Sequence, residues 1–316
     1  MKHYSVMLNE VIDALNIKPD GIYVDATLGY AGMSKEILKR LNKEGFLISI
    51  DQDKEAREYS DKVLREFGSN YKIVASNFVN LKDILNELNI NKIDGIIFDL
   101  GFSSPQIDDD KRGFSFMSDA PLDMRMNTES SLDAKKIVNT YSEKELTDCF
   151  YKYGEEKLSG VIAKKIVTSR KVKTINTTFE LVEVIKNATG ANYFYKNHPE
   201  RKIFQAIRIM VNDELNVLEK VLPDAIDLLN SKGRIAVLTF HSLEDRIVKQ
   251  VFKEYSEVNE MVKGLPNIPE EYQAKLKIIN KKPIMASEEE LKINSRSHSA
   301  KLRIGERIWK QQKRKD

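Results

Sequence analysis

The chain is nearly without cysteine: Cys149 is the only one in 316 residues. No internal disulfide can form, and a reducing compartment, the cytoplasm, is expected. Histidine is almost as scarce, and four scattered residues with one cysteine offer no zinc-ligand spacing. No structural or catalytic metal is expected. No apolar run approaches the roughly 20 residues that cross a bilayer. The opening Met1-Lys2-His3-Tyr4-Ser5 also lacks the apolar region of a signal peptide, so no membrane partner is expected. Neither sign of charge dominates. A net charge of +3 does not by itself announce a nucleic-acid partner. There is no internal repeat and no low-complexity tract. The G-x-G-x-x-G triplet of dinucleotide-binding strands is missing too, which argues against an NAD-dependent oxidoreductase.

What is present reads as globular. Hydrophobic residues make up 41% of the chain and charged residues 31%, enough for one large domain or two ordinary ones. Short apolar runs at 22–25, 45–51, 71–75 and 93–99 alternate with helical patterns. Alternation of that kind implies a parallel sheet covered on both faces. Residues 103–128 then show no period, a long loop of the kind that is usually functional. From 132 to about 188 the pattern is helical without strands. A second loop over 189–201 leads to a helical stretch from 203 to 230, which Pro223 is expected to break. A fifth strand follows at 233–240, with Gly233 ending the helix before it. Period-two runs at 276–280 and 300–304 suggest a closing pair of strands at the sheet edge. The expected architecture is a doubly wound α/β fold with a mostly parallel, seven-stranded, Rossmann-like sheet and an inserted all-helical domain. The sheet domain would comprise 1–128 and 202–316, and the helical insert 129–201.

The chemistry concentrates in Asp25-Ala26-Thr27-Leu28-Gly29-Tyr30-Ala31-Gly32-Met33-Ser34. Strand, glycine-bearing loop and helix start stand in order, and Gly29 and Gly32 let a ligand approach the backbone. An acid at the first strand's end would repel a pyrophosphate, whereas Asp25 can orient a cationic, sulfonium-bearing amino acid. Asp51 ends the second strand, where an acid hydrogen-bonds ribose hydroxyls. Phe78 follows the third strand and can lie against an adenine. Asp99 ends the fourth strand and faces the same crevice. The set favours S-adenosylmethionine as cofactor.

Several longer strings resemble one family. They are Ser5-Val6-Met7-Leu8-Asn9-Glu10, Asp99-Leu100-Gly101-Phe102-Ser103-Ser104-Pro105-Gln106, Arg112-Gly113-Phe114-Ser115-Phe116, Leu122-Asp123-Met124-Arg125-Met126 and Phe240-His241-Ser242-Leu243-Glu244-Asp245-Arg246. Together with shorter strings elsewhere they resemble the bacterial 16S ribosomal RNA cytosine N(4)-methyltransferases, the RsmH or MraW family. The resemblance implies methyl transfer to the exocyclic amine of a cytidine in the decoding region of small-subunit rRNA. It implies cofactor contacts at Ala31, Gly32, Met33, Asp51, Phe78, Asp99 and Gln106, and it is compatible with a homodimer. The loop departs from the family's G-x-G-G-H-S: Ala31 stands for a glycine and Met33 for the histidine. That departure keeps two alternatives open, a paralogue acting on another RNA or DNA cytosine and a non-catalytic RNA-binding assembly factor.

On this reading Asp99, Ser103 and Ser104 shape the cytosine site, and His241 after the fifth strand is a candidate proton acceptor. The target base must leave its stack, and Phe102, Phe114 and Phe116 are candidates to receive it. Arg112 and Arg125 are candidates to bind phosphates or to fold the loop back on its acids at 108–110. Lys164, Lys165 and Arg170 in the helical insert are candidates for the RNA backbone, and so is the basic C-terminus. The expected partner is 16S rRNA or the small ribosomal subunit.

Overall fold

The computed structural model describes residues 5–101, 111–258, 260–262, 264–269 and 272–308. The chain divides into two compact units, one made of Met1–Gly101 with Leu215–Asp316 and the other of Phe102–Glu214. In chain order the first unit begins α1 (Leu8–Leu15), β1 (Ile22–Asp25), α2 (Gly32–Leu38), β2 (Phe46–Asp51), α3 (Lys54–Leu64), β3 (Tyr71–Ala75), α4 (Leu81–Glu87) and β4 (Ile93–Asp99). The second unit holds α5 (Ala134–Thr140), α6 (Glu143–Gly154), α7 (Ser159–Val172), α8 (Thr178–Thr189), α9 (Ala191–Asn197) and α10 (Pro199–Asn212). The chain then returns through α11 (Glu214–Leu228), β5 (Leu229–Thr239), α12 (Ser242–Ser256), β6 (Leu276–Ile278), α13 (Glu288–Ile293) and β7 (Lys301–Arg307).

The strands form one seven-stranded sheet in the order β3-β2-β1-β4-β5-β7-β6. The pairings from β3 to β5 are parallel, and β7 runs antiparallel to both of its neighbours. The period-two runs near the C-terminus are thus the closing antiparallel pair. Successive side chains leave a strand on opposite faces, and the core divides accordingly. Val24, Ile48, Ile50, Ile96, Phe98, Ile235 and Val237 pack on one face beneath α4, α11 and α12. Tyr23, Leu47, Ile97, Ala236, Leu238, Leu302 and Ile304 pack on the other, against α1 and α2. Both faces are dry, which is why β1, β2 and β4 read as continuous apolar runs rather than alternating ones. Each fully buried Leu or Ile contributes about 1.5–3 kcal/mol relative to exposure.

Three local expectations are corrected. Pro223 does not break the helical stretch. It lies inside α11, whose buried stripe Leu218, Val221, Leu222, Ala225 and Ile226 runs continuously past it. Apolar burial along five positions outweighs the one lost backbone hydrogen bond. The break falls instead at Asp213, a left-handed residue (φ 52°) between α10 and α11. Gly233 does not end a helix but lies within β5. Between Ile93↔Leu229 and Gly95↔Arg234 the register shifts, and the bulge places Lys232 at φ 62°. A Cβ on Gly233 would press on the carbonyl oxygens of Asn230 and Asp94. Residues 189–201, expected as a loop, carry α9 and the start of α10, where Pro199 takes the first helical position without loss.

The second unit is wider than a 129–201 insert, because the aperiodic segment before it belongs to its core. Phe114, Leu122 and Met124 are buried among Ile137, Phe150, Ile166, Leu181 and Ile207. The segment is held by hydrogen bonds instead of a repeating ladder. Leu122 N donates to Asn176 O (3.0 Å), and Met124 N to Arg112 O (3.0 Å). Asn212 bridges it, accepting from Met126 N (2.8 Å) and donating to Met124 O (2.8 Å). Serine and threonine at 142 and 177 begin α6 and α8 with reciprocal bonds to Glu145 and Glu180. Among the described residues no helix is long and apolar enough to cross a membrane.

Candidate active site

Because β1, β2 and β4 are parallel neighbours, Asp25, Asp51 and Asp99 arrive at one edge of the sheet, the carboxyl ends where open α/β sheets bind ligands. The loop after β1 is pinned to both adjoining strands. Ala26 N donates to Ile97 O on β4 (3.0 Å), and Leu28 N to Ile50 O on β2 (3.0 Å). Asp99 N donates to Thr27 Oγ1 (2.7 Å), Gly29 N to Asp51 Oδ2 (2.8 Å), and Ser60 Oγ to Gly29 O (2.8 Å). These bonds fix the path of the glycine loop above the strand ends.

The three acids differ in what they face. Asp25 is fully buried and turned into the protein, accepting from Ser34 Oγ (2.7 Å) and Thr27 N (3.1 Å). The sequence places it at the methionine part of the cofactor; the structure sets it beneath the loop, fully buried, where its charge acts without surface for a direct contact. Asp51 accepts from Gly29 N and Asp53 N, both at 2.8 Å, one to each oxygen. Burial pushes both carboxyls up to about 6. Asp99 differs in that its carboxyl has no hydrogen-bond partner among the described residues. Burial, then the negative charges of Asp25 and Glu244, push it up to about 7. The charge of Asp25 adds to burial in raising both Asp51 and Asp99, and negative charge gathered at the strand ends favours a cation, the property that distinguishes a sulfonium ligand from a pyrophosphate. The residues present fit S-adenosylmethionine: Asp51 would meet ribose hydroxyls, Phe78 the adenine, and Asp99 with the charge of Asp25 the cationic end. Phe78 follows β3 in a single 3-10 turn and stands edge-on to Phe98, with ring centroids 5.6 Å apart.

The unusual loop residues turn inward. Ala31 is buried at φ 64°, the left-handed region that a glycine occupies freely. Met33 is buried in the cluster that also holds Val6, Leu28 and Ala31, so it packs instead of facing a ligand. A Cβ on Gly32 would meet Ser5 Oγ, so the Ser5 hydroxyl would have to move aside.

Other expectations change role. His241 is the N-cap of α12: its Nδ1 accepts from Glu244 N (3.4 Å), while Glu244 Oε2 accepts from Phe240 N (2.8 Å) and His241 N (3.3 Å). Its Nε2 lies 3.1 Å from Glu244 Oε1, so both ring nitrogens face the same glutamate, and the cap by itself accounts for the histidine's place at the strand end. Phe114 is buried and Phe116 stands edge-on to Phe204 at 5.7 Å, so both belong to the helical core instead of a base-stacking surface. Arg112 donates to Arg125 O (2.8 Å). Arg125 grips Asp123 (2.6 Å) and the carbonyls of Thr128 and Ser130 (2.7 Å each). The two arginines brace the segment on its own backbone and on Asp123. Arg170 donates to Val138 O and Tyr141 O, tying α7 to the end of α5, which leaves Lys164 and Lys165 as the exposed cations of that set. Phe102, Ser103, Ser104 and Gln106 lie outside the described residues, as do the acids at 108–110 and the basic residues from 309 onward. The sequence did not single out Ser34, Ser49, Thr27 and Ser60, the hydroxyls that anchor the loop; a serine inside the apolar run of β2 was the one visible signal.

Among solved structures, an rRNA methylase from Streptococcus thermophilus is 12% identical over 96% of this chain and 94% of its own, with a TM-score of 0.41. A Streptococcus mutans protein in complex with SAH is 12% identical over 96% of this chain and 99% of its own, with a TM-score of 0.43. These overlaps are loose, and the assignment rests on sequence: the profile of the MraW methylase family matches residues 1–308. The chain belongs to the MraW methylase family, whose methyl donor is S-adenosylmethionine.

Proposed function

We propose that this protein methylates the exocyclic N(4) amine of a cytidine in the decoding region of small-subunit rRNA. The observation that carries the reading is the Asp99 carboxyl, which ends β4 in the cofactor crevice without a hydrogen-bond partner among the described residues. The lone pair of that amine is delocalised into the ring, so it must be aligned and must lose a proton as the new bond forms. A carboxyl held near 7 is poised to accept a hydrogen bond from the amine and take that proton at neutral pH. S-adenosylmethionine supplies the methyl group as a sulfonium electrophile. Ser103 and Ser104, beside Pro105, are assigned to hold the flipped base, and Lys164 and Lys165 to meet RNA phosphates. The choice of cytidine and of the decoding region is supported by the resemblance of the strings at 99–126 and 240–246.

Mass-spectrometric mapping of small-subunit rRNA from cells lacking the protein tests this reading. Loss of one N(4)-methylcytidine, restored by the intact gene but not by Asp99→Asn, is expected. An unchanged modification pattern overturns the substrate assignment. With purified protein, Asp99→Asn is expected to lower turnover by at least about 100-fold, and near-normal turnover removes Asp99 from the chemistry. A non-catalytic assembly factor would instead show no binding of S-adenosylmethionine at millimolar concentration.

A further inference from the structure

β1 and β2 pair so that Asp25 stands beside Ser49. Ser34, from the first turn of α2, reaches down between them. Its Oγ lies 2.7 Å from Asp25 Oδ2 and 2.8 Å from Ser49 Oγ, and all three residues are fully buried. The direction of this chain is dictated by chemistry. An ionised carboxylate only accepts, so the single hydroxyl proton of Ser34 goes to Asp25. Ser34 Oγ can then only accept from its other neighbour, and Ser49 must donate. The order is Ser49 to Ser34 to Asp25, each bond polarising the next.

Asp25 has no ion-pair partner among the described residues, although a buried carboxylate without one is costly. Among the described residues its charge acts on two acids, Asp51 on β2 and Asp99 on β4, and helps to push both up. Its field therefore reaches the crevice while its oxygens do not. Resting on the reading of the crevice as the S-adenosylmethionine site, we propose that Ser49 is a positioning residue for ligand specificity: through Ser34 it holds Asp25 as an oriented carboxylate beneath the loop and makes the site prefer a sulfonium ligand to the neutral thioether that remains after methyl transfer. The same preference would speed exchange of spent for fresh cofactor.

Titration calorimetry of the full chain with S-adenosylmethionine and with S-adenosylhomocysteine separates charge from shape, since the two ligands differ by a methyl group and one positive charge. Ser49→Ala is expected to weaken binding of S-adenosylmethionine about fivefold at pH 7 and of S-adenosylhomocysteine less than about twofold. Ser34→Ala, which removes the donor touching Asp25, is expected to move the ratio further the same way. In both variants the rise of S-adenosylmethionine affinity with pH is expected to shift to higher pH. Equal losses for the two ligands, or an unchanged ratio, overturn the proposal and leave the crevice assignment standing. Failure of the unsubstituted protein to bind either ligand overturns both.

Discussion

Ala31 shows how one side chain can depart from a motif and keep its backbone. At φ 64° it pays the left-handed penalty of an L-residue, on the order of 1–2 kcal/mol. Ala31→Gly relieves that strain and returns about 0.4–1 kcal/mol through the freer unfolded chain. A net stabilisation of about 0.5–1 kcal/mol is expected in denaturant unfolding, and a loss of stability refutes the strain. His241 makes a complementary case. As an N-cap it is replaceable by asparagine: His241→Asn is expected to keep both stability and the pH–rate profile, whereas His241→Ala costs about 1 kcal/mol without moving the profile. A changed profile in the asparagine variant would restore the histidine as a proton acceptor. At this scale Asp51 and Asp99 were legible because strand-end acids in a parallel sheet have few other places to point. The burial of Phe114 and Met33 was not, because nothing in one side chain says which neighbours it will meet.

The elements were readable where one physical force dominated. Apolar runs bounded by polar turns specified β1 to β4, and period-two runs specified the β6–β7 pair. They were misread where two forces competed. In α11 a continuous apolar stripe overrode Pro223, and in β5 a bulge absorbed Gly233 into the strand. The segment before α5 has no period because side chains build it. Arg125 supplies three of its ties, to Asp123 and to the carbonyls of Thr128 and Ser130. Arg125→Ala leaves those carbonyls and the Asp123 carboxylate without their donor, at a cost of about 2 kcal/mol. A lower unfolding midpoint of the helical unit, followed by hydrogen exchange at Ile137 and Phe150, is expected. Unchanged exchange there would mean that the segment adds nothing to that core.

Across the molecule, the crevice acids couple stability to pH. Asp25, Asp51 and Asp99 sit at about 6, 6 and 7 in the folded protein, against about 3.9 in an unfolded chain. The folded state therefore holds more protons between those values, and their contribution to stability is full below about pH 4 and is lost as pH rises through 6 to 7. A sulfonium ligand offsets the repulsion that appears when they ionise. The thermal shift produced by S-adenosylmethionine is expected to grow from pH 5 to pH 8, and that of neutral S-adenosylhomocysteine to stay nearly flat; equal pH dependence for both would refute the coupling. Order along the chain sufficed for the doubly wound sheet, the helical unit and the row of strand-end acids, because periodicity and chain reversal are local properties. Which hydroxyls tie the loop, which arginines face backbone instead of phosphate, and which acid keeps a free carboxyl are set by contacts between residues far apart in sequence. Those contacts exist only once β1, β2 and β4 lie side by side.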